Sequence, residues 1–205
     1  MNLGHPFPRV DPDSSLDIRE RDEVYAPSED SYLLLKAIDV EGASTFLDMG
    51  TGTGLIAVHA ALRSGTLATD ISPFAVHLCR ENADLNGVPV KVVRTDLFAA
   101  LTGKFDVIAF NPPYLPDVGA KGWVDSAWSG GPDGNEVILR FLEQAGEHLA
   151  PRGRIFLLLS SHNGRSLSRA EELYDVKLLD RRSLFFEEIG VYELKHSRLS
   201  SAHKI

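Results

Sequence analysis

The sequence predicts an α/β protein with seven strands in a doubly wound, mostly parallel sheet, helices on both faces and an antiparallel final strand. Two observations predict this. Short apolar stretches alternate with amphipathic ones, as strands alternate with crossover helices. The predicted strands are also apolar almost throughout, which is typical of strands buried on both faces. The last two strands have no helical stretch between them, so we expect them to pair antiparallel.

The first helix is predicted from residue 28, because Ser28 can cap it and Leu33, Leu34 and Ala37 form an apolar stripe. Pro73 and Gly87 mark the start and stop of a later helix. The predicted strands of this half lie at 44–50, 66–71, 90–96 and 105–110, with helices at 55–64 and 73–87.

In the second half, a long amphipathic stretch predicts a helix that Asp133 could cap. The predicted helices are 134–149 and 166–174, and the strands are 154–160, 175–183 and 189–196. No internal repeat or linker interrupts the pattern, so we expect a single domain over 24–196. The composition of residues 1–23 predicts a tail or an arm lying on that domain, and 197–205 a polar tail.

Composition narrows the function classes. A chain of 205 residues, 43% of them hydrophobic, can bury the core of one globular domain. The net charge of −8 argues against non-specific binding of nucleic acid. It does not exclude a nucleic-acid substrate that binds at one local site. A single cysteine, Cys79, favours a reducing compartment, most simply the cytoplasm. No apolar run approaches the ~20 residues that cross a bilayer, and the N-terminus lacks the pattern of a signal peptide.

The stretch "DMGTGTG" (48–54) follows a strand and opens a helix. Its glycines allow a tight turn and the close approach of a ligand. Their G-x-G-x-G spacing differs from the G-x-G-x-x-G that dinucleotides favour, and Asp48 would repel a pyrophosphate. A carboxylate there suits a ligand with a cationic amino group. The cofactor-binding candidates of this loop are Asp48, Gly50, Thr51 and Gly52.

Two further acids end the next two strands. Asp70, followed by Ile71, stands where an acid can bind both ribose hydroxyls of a nucleoside. Asp96 can accept from the exocyclic amine of adenine, and Leu97 can cover the ring. Glycine turns and strand-end acids are each common. Three acids that follow successive strands at one edge of a sheet, however, indicate a ligand-binding site. Amino acid, ribose and adenine together describe S-adenosylmethionine.

The fourth strand ends in "NPPY" (111–114) at the same edge. Pro112 and Pro113 fix the backbone and remove two N–H donors, which leaves the Asn111 side-chain oxygen and the Pro112 carbonyl as acceptors. Two acceptors can hold both hydrogens of an NH₂ group, and Tyr114 offers an aromatic face. We therefore predict Asn111, Pro112 and Tyr114 as catalytic, with Asn111 also beside the cofactor, and Asn111, Pro113 and Tyr114 as substrate-binding.

This pattern predicts N-methylation. An amide or aromatic NH₂ is a poor nucleophile because its lone pair is delocalised. Accepting both hydrogens returns electron density to the nitrogen and aims it at a methyl group.

The motifs resemble HemK-related class I S-adenosylmethionine-dependent methyltransferases, which are Rossmann-like. "VYAPSEDSYLLLKAI" (24–38) and "SAWSGGPDGNEVILRFL" (126–142) resemble the short eukaryotic and archaeal branch. That branch methylates N5 of the glutamine in the Gly-Gly-Gln motif of class I peptide-chain release factors. The resemblance implies that Tyr25, Pro27, Ser28 and Glu29 approach the cofactor, and that Trp128, Gly130 and Gly131 lie near the substrate.

Relatives in that branch often work with a small zinc-binding activator protein. The third strand, "VKVVRT", lies at a sheet edge in the usual order of this fold, and an unpaired edge invites strand addition. Lys91 and Arg94 would serve equally to protect a solvated edge. No metal site within the chain is predicted.

Two alternatives stay open. An N6-adenine or N2-guanine methyltransferase of DNA or RNA uses the same NH₂ chemistry, although the acidic charge speaks against it. A non-catalytic cofactor-binding subunit would not need the two acceptors of Asn111 and Pro112.

Overall fold

The computed structural model describes residues 13–114, 132–184 and 187–197. Within these ranges the chain forms seven strands and five helices. Every helix there is too short or too polar to span a bilayer.

The seven strands form one sheet, with strand order 3-2-1-4-5-7-6. Strands 1 to 5 are parallel where they pair, and strand 7 is antiparallel to both 5 and 6. The predicted fold class and the antiparallel last pair are confirmed. The strands are β1 (Thr45–Met49), β2 (Gly65–Asp70), β3 (Val90–Arg94), β4 (Phe105–Phe110), β5 (Leu149–Ser160), β6 (Tyr174–Ser183) and β7 (Glu188–His196).

The helix boundaries follow the cap signals with one exception. Ser28 is the N-cap of the first helix, Pro73 opens the third, and Gly87 follows it with a φ of +64°. The prediction that Asp133 caps the fourth helix is wrong, because Asn135 stands at the N-cap and Asp133 Oδ1 accepts from the Asn135 N–H at 3.0 Å. The helices are α1 (Glu29–Ala37), α2 (Leu55–Ala61), α3 (Pro73–Leu85), α4 (Glu136–His148) and α5 (Gly164–Leu173).

Strand β5 begins five residues earlier than the predicted start at 154. Leu149 pairs with Phe105 and Arg154 with Val107, so the extra residues form an irregularity between these two pairs. A Cβ on Gly153 would stand 2.9 Å from the Phe105 carbonyl oxygen, so this tight bend requires glycine. The stretch "PRG" (151–153) lacks the apolar pattern of a strand, so the sequence did not predict that it belongs to β5.

The direction of the chain reverses between β1 and β4. From β1 it proceeds outward to β2 and β3, whereas from β4 it proceeds the other way to β5. Right-handed crossovers on the two sides place helices on opposite faces of the sheet. Between β1 and β4 the loops leave in opposite directions, which opens a crevice at the carboxyl ends of the strands.

Candidate active site

A cavity of about 380 Å³ occupies this crevice, a volume in the range of small-molecule sites. Twelve of the predicted site residues meet there. They are Tyr25, Pro27, Asp48, Gly50, Thr51, Gly52, Asp70, Ile71, Asp96, Leu97, Asn111 and Pro113.

The glycine loop folds tightly because its neighbours leave no room for side chains. Gly50 has a φ of +64°, and a Cβ there would lie 3.2 Å from the Phe110 ring. Gly54 has a φ of +85°, and its Cβ would lie 2.8 Å from the Cys79 sulfur. Gly50 thus lets the loop lie against the end of β4, and Gly54 lets α2 begin against α3.

Asp48 is a buried carboxylate at the floor of the cavity. Its Oδ2 accepts from the Thr51 hydroxyl at 2.7 Å and from the Ala57 N–H of α2 at 3.1 Å. Burial raises the pKa of Asp48 to about 7, and these two hydrogen bonds offset only part of that effect. The ionised form therefore gains from any cation that enters the cavity.

The other two acids differ in exposure. Asp70 accepts from the Gly52 N–H at 3.0 Å and the Ser72 N–H at 2.9 Å, and burial raises its pKa. Asp96 is about half exposed and pairs with Arg140 at 2.7 Å. Leu97 follows it with a φ of +45°, a conformation that non-glycine residues rarely adopt outside functional turns.

The segment before α1 closes the cavity from the N-terminal side. Val24 and Tyr25 line the cavity. Further upstream the segment is held by Asn82, whose side chain accepts from the Arg19 N–H and donates to the Arg19 carbonyl, both at 3.0 Å. Asn86, one helical turn along α3, does the same for Asp17 at 2.9 and 2.8 Å. Two asparagines thus bind the segment as a neighbouring strand would.

Asn111 is oriented by a residue that the sequence analysis did not identify. Its Nδ2 donates to Asp30 Oδ2 at 3.1 Å, and the Tyr114 hydroxyl donates to the same oxygen at 3.4 Å. The other oxygen, Oδ1, accepts from the Tyr25 hydroxyl at 2.9 Å and the Ser31 N–H at 2.6 Å. A carboxylate that receives donors on both oxygens requires the amide to present its NH₂ group. The Asn111 oxygen, which is buried, is left without a hydrogen-bond partner among the described residues.

Some predicted residues lie elsewhere. Glu29 does not line the cavity; it is about half exposed and pairs with Arg182 at 2.8 Å. Ser28 serves as the N-cap of α1. Pro112 and Tyr114 are buried beside the cavity without lining it. Trp128, Gly130 and Gly131 lie outside the described residues, as do 1–12 of the arm and 198–205 of the tail.

A signal for Asp30 was present in the sequence. Asp30, Leu34 and Ala37 follow the 4-and-3 spacing of one helix face, and all three are buried. Glu29 is one position out of phase with that face. The helical period therefore distinguishes the two adjacent acids of "SED".

A family model described as "methyltransferase small domain" matches residues 22–186, well over half of the chain. The chain belongs to this methyltransferase family. The HemK-related resemblance is confirmed by relatives. MJ0928 of Methanocaldococcus jannaschii, provisionally named a protein N5-glutamine methyltransferase, is 40% identical over 178 residues, 82% of this chain and 90% of that protein. Methyltransferase HEMK2 of Mus musculus is 38% identical over 158 residues, 69% of this chain and 73% of the mouse protein.

A solved methyltransferase structure gives the same result. It comes from the Mtq2–Trm112 complex of E. cuniculi, which is responsible for methylation of the translation termination factor eRF1. The TM-score is 0.69 at 30% identity, and the alignment covers 85% of this chain and 99% of that one.

Proposed function

We propose that this methyltransferase transfers a methyl group from S-adenosylmethionine to N5 of the glutamine in the Gly-Gly-Gln motif of a class I peptide-chain release factor. One observation carries the proposal. Asp30 accepts from the Asn111 Nδ2 group, and the buried Asn111 Oδ1 has no partner, so that oxygen would be available to accept from a substrate NH₂ group.

The residues present suit S-adenosylmethionine. Asp48 is a buried carboxylate whose ionised form is disfavoured by burial, and a cationic α-amino group would compensate it. Asp70 would receive the ribose hydroxyls, and Asp96 with Leu97 the adenine. Pro27, Gly50, Thr51, Gly52 and Ile71 complete the proposed binding surface. When bound, S-adenosylmethionine would supply an activated methyl group on its sulfonium.

The chain supplies the geometry of transfer. Asn111 Oδ1 and the Pro112 carbonyl would each accept one hydrogen of the glutamine NH₂ group, and Pro113, which lines the cavity, would confine its planar amide. Tyr114, which does not line the cavity, would act through its hydrogen bond to Asp30. The nitrogen then directs its lone pair at the methyl carbon. As the N–C bond forms, the C–S bond would break and one N–H proton would be released to water. S-adenosylhomocysteine and the N5-methylated glutamine are the products.

The names of the relatives support glutamine as the target. The local charge agrees with them, since the Asp30 carboxylate contacts the Asn111 amide and would disfavour the phosphates of a nucleic acid.

An activator subunit is part of the proposal. In the described part of the chain, β3 pairs with β2 alone and forms one edge of the sheet. The methyltransferase of the E. cuniculi complex was solved with Trm112 as its partner. A small partner, zinc-binding by analogy with relatives, could add a strand at this edge.

The test uses labelled S-adenosylmethionine, with and without candidate activator subunits. One arm contains a release factor, a second contains the same factor with Gly-Gly-Ala in place of Gly-Gly-Gln, and a third contains duplex DNA and RNA. We expect label in the first arm alone. Label on nucleic acid would support the adenine or guanine alternative, and label in no arm would support a non-catalytic subunit.

A further inference from the structure

Two buried side-chain oxygens in the described part of the chain have no hydrogen-bond partner. They are Asn111 Oδ1 and Glu187 Oε2. Buried polar atoms are almost always hydrogen-bonded, so each exception needs a reason. The proposed function accounts for Asn111 and leaves Glu187 without a role.

Glu187 lies at the same edge of the sheet as Asn111. It immediately precedes β7, and its carbonyl accepts from the Leu184 N–H at 2.7 Å across the β6–β7 connection. The next residue, Glu188, accepts through its carbonyl from the Ser161 N–H at 2.7 Å. Ser161 directly follows β5, and β5 is the neighbour of β4, which ends at Asn111. The Glu187 backbone is therefore fixed at the carboxyl end of the central strands.

The Glu187 carboxylate lies within electrostatic range of Tyr114 in the NPPY segment. Burial and Asp30 raise the pKa of the Tyr114 hydroxyl most strongly, and the Glu187 carboxylate contributes to the same increase. The Tyr114 hydroxyl nevertheless donates to Asp30. Glu187 thus presents a free acceptor near Tyr114, beside the position proposed for the substrate glutamine.

We infer that Glu187 accepts a hydrogen bond from a backbone N–H of the substrate, next to the glutamine that is methylated. This inference rests on the proposed function, in which Asn111 and Pro112 already take both hydrogens of the glutamine NH₂ group. A further acceptor needs a further donor, and a polypeptide carries N–H groups on both sides of that side chain. Asp30 and Glu187 both act electrostatically on Tyr114, and a second carboxylate there would also repel a phosphate-bearing substrate, so Glu187 would favour a polypeptide.

The test compares Glu187→Ala, Glu187→Gln and the control Glu188→Gln with the unaltered enzyme, in steady-state methylation of a release factor with its activator if one is needed. The Glu188 side chain is about half exposed and lies one position away, so the control removes the same charge nearby. We expect Glu187→Ala to raise KM for the factor by about 10- to 100-fold, since it loses a hydrogen bond to a charged acceptor. Glu187→Gln keeps an acceptor oxygen, so its KM should rise by less than about 5-fold. The kcat, the Kd for S-adenosylmethionine and the Tm should change little in all three variants.

The possible outcomes separate the two ideas. If the unaltered enzyme methylates Gly-Gly-Gln and Glu187→Ala keeps its KM, the Glu187 assignment alone is overturned. The Glu187 assignment is also overturned if Glu187→Gln and Glu187→Ala raise KM equally. The negative charge, and not an acceptor oxygen, would then be what the substrate requires. If the unaltered enzyme does not methylate the factor, the proposed function and the Glu187 assignment are both overturned.

Discussion

The Asn111 amide donates to the Asp30 carboxylate over 3.1 Å, between residues 81 positions apart in the sequence. Because Asp30 also receives the Tyr25 and Tyr114 hydroxyls, one carboxylate ties the start of α1 to the end of β4. The contact determines which end of the amide faces the proposed substrate.

Replacing Asp30 with Asn should impair turnover without impairing cofactor binding. An amide at position 30 can donate as well as accept, so the Asn111 side chain is free to turn its oxygen inward. We expect kcat to fall about 10- to 100-fold, the equivalent of one charge-assisted hydrogen bond. Single-turnover methylation, with the Kd for S-adenosylmethionine measured by calorimetry, checks the separation.

Glu29→Gln is the matched control for Asp30→Asn. Glu29 is the adjacent acid, but it is half exposed and its ion pair with Arg182 lies at the surface. Such pairs contribute about 0–1 kcal/mol, so activity should stay within about 3-fold. Equal losses of activity in Asp30→Asn and Glu29→Gln would show that only the negative charge of the first turn of α1 is required.

Asp48→Asn should stabilise the ligand-free protein in a pH-dependent way. The pKa of Asp48 in the folded state, about 7, exceeds its ordinary value of 3.8. The contribution of Asp48 to stability is therefore fully present below pH 3.8 and is lost as the pH rises through about 7. The advantage of the Asn variant should grow over that interval and then level off at on the order of 4 kcal/mol, from about 1.4 kcal/mol per pKa unit.

Urea unfolding at a series of pH values measures this advantage. With S-adenosylmethionine present, the unaltered protein should be more stable than Asp48→Asn, because the ligand stabilises the unaltered protein and binds the variant weakly. An advantage that does not vary with pH would mean that Asp48 does not titrate in this interval.

Asn82→Ala should loosen the segment that precedes α1. The Asn82 side chain is fully buried, and besides its two bonds to Arg19 it donates to the Thr53 carbonyl at 2.8 Å. Removing it leaves several backbone groups unpaired, so we expect a loss of about 2–4 kcal/mol in the free energy of unfolding. The Kd for S-adenosylmethionine should rise as well, since Val24 and Tyr25 line the cavity.

Asn86→Ala provides the comparison for Asn82. It makes analogous bonds to Asp17, but at a more exposed position, where water can replace them. We expect Asn86→Ala to lower the free energy of unfolding by about 1 kcal/mol or less. Denaturation of both variants by urea distinguishes a buried anchor from general packing of the segment.

The sequence predicted the sheet well because its strands are apolar and its turns carry glycine, proline and cap residues. It predicted the residues of the cavity wall for a related reason. Asp48, Asp70, Asp96 and Asn111 each lie at or just beyond the carboxyl end of a strand, and parallel strands end at one edge. Such residues come together through topology alone, which the alternating pattern determines.

The contacts that the sequence did not reveal join segments far apart in the chain. Asp30 meets Asn111, and Asn82 meets Arg19, through side chains whose partners are set by tertiary packing. The resemblance directed attention to Glu29, whereas the phase of α1 buries Asp30. Glu187 has no motif at all, and only its unpaired buried oxygen marks it.

An activator that adds a strand at β3 should protect the amides of Val90–Arg94 from hydrogen exchange. The opposite edge, β6 (Tyr174–Ser183), is the internal control and should exchange at an unchanged rate. Exchange followed by mass spectrometry, on the enzyme alone and with the subunit, gives both values. Protection confined to β6 would show that the partner binds at the opposite edge of the sheet and not at β3.

Asn111→Ala tests the central claim most directly. The variant removes the proposed acceptor oxygen and leaves the three acids of the cofactor site in place. We predict that single-turnover methylation of the release factor falls by at least about 1000-fold, since the nitrogen is neither held nor aimed, while the Kd for S-adenosylmethionine changes by less than about 3-fold. Full activity in Asn111→Ala, with unchanged cofactor binding, would show that the Asn111 oxygen does not position the substrate nitrogen.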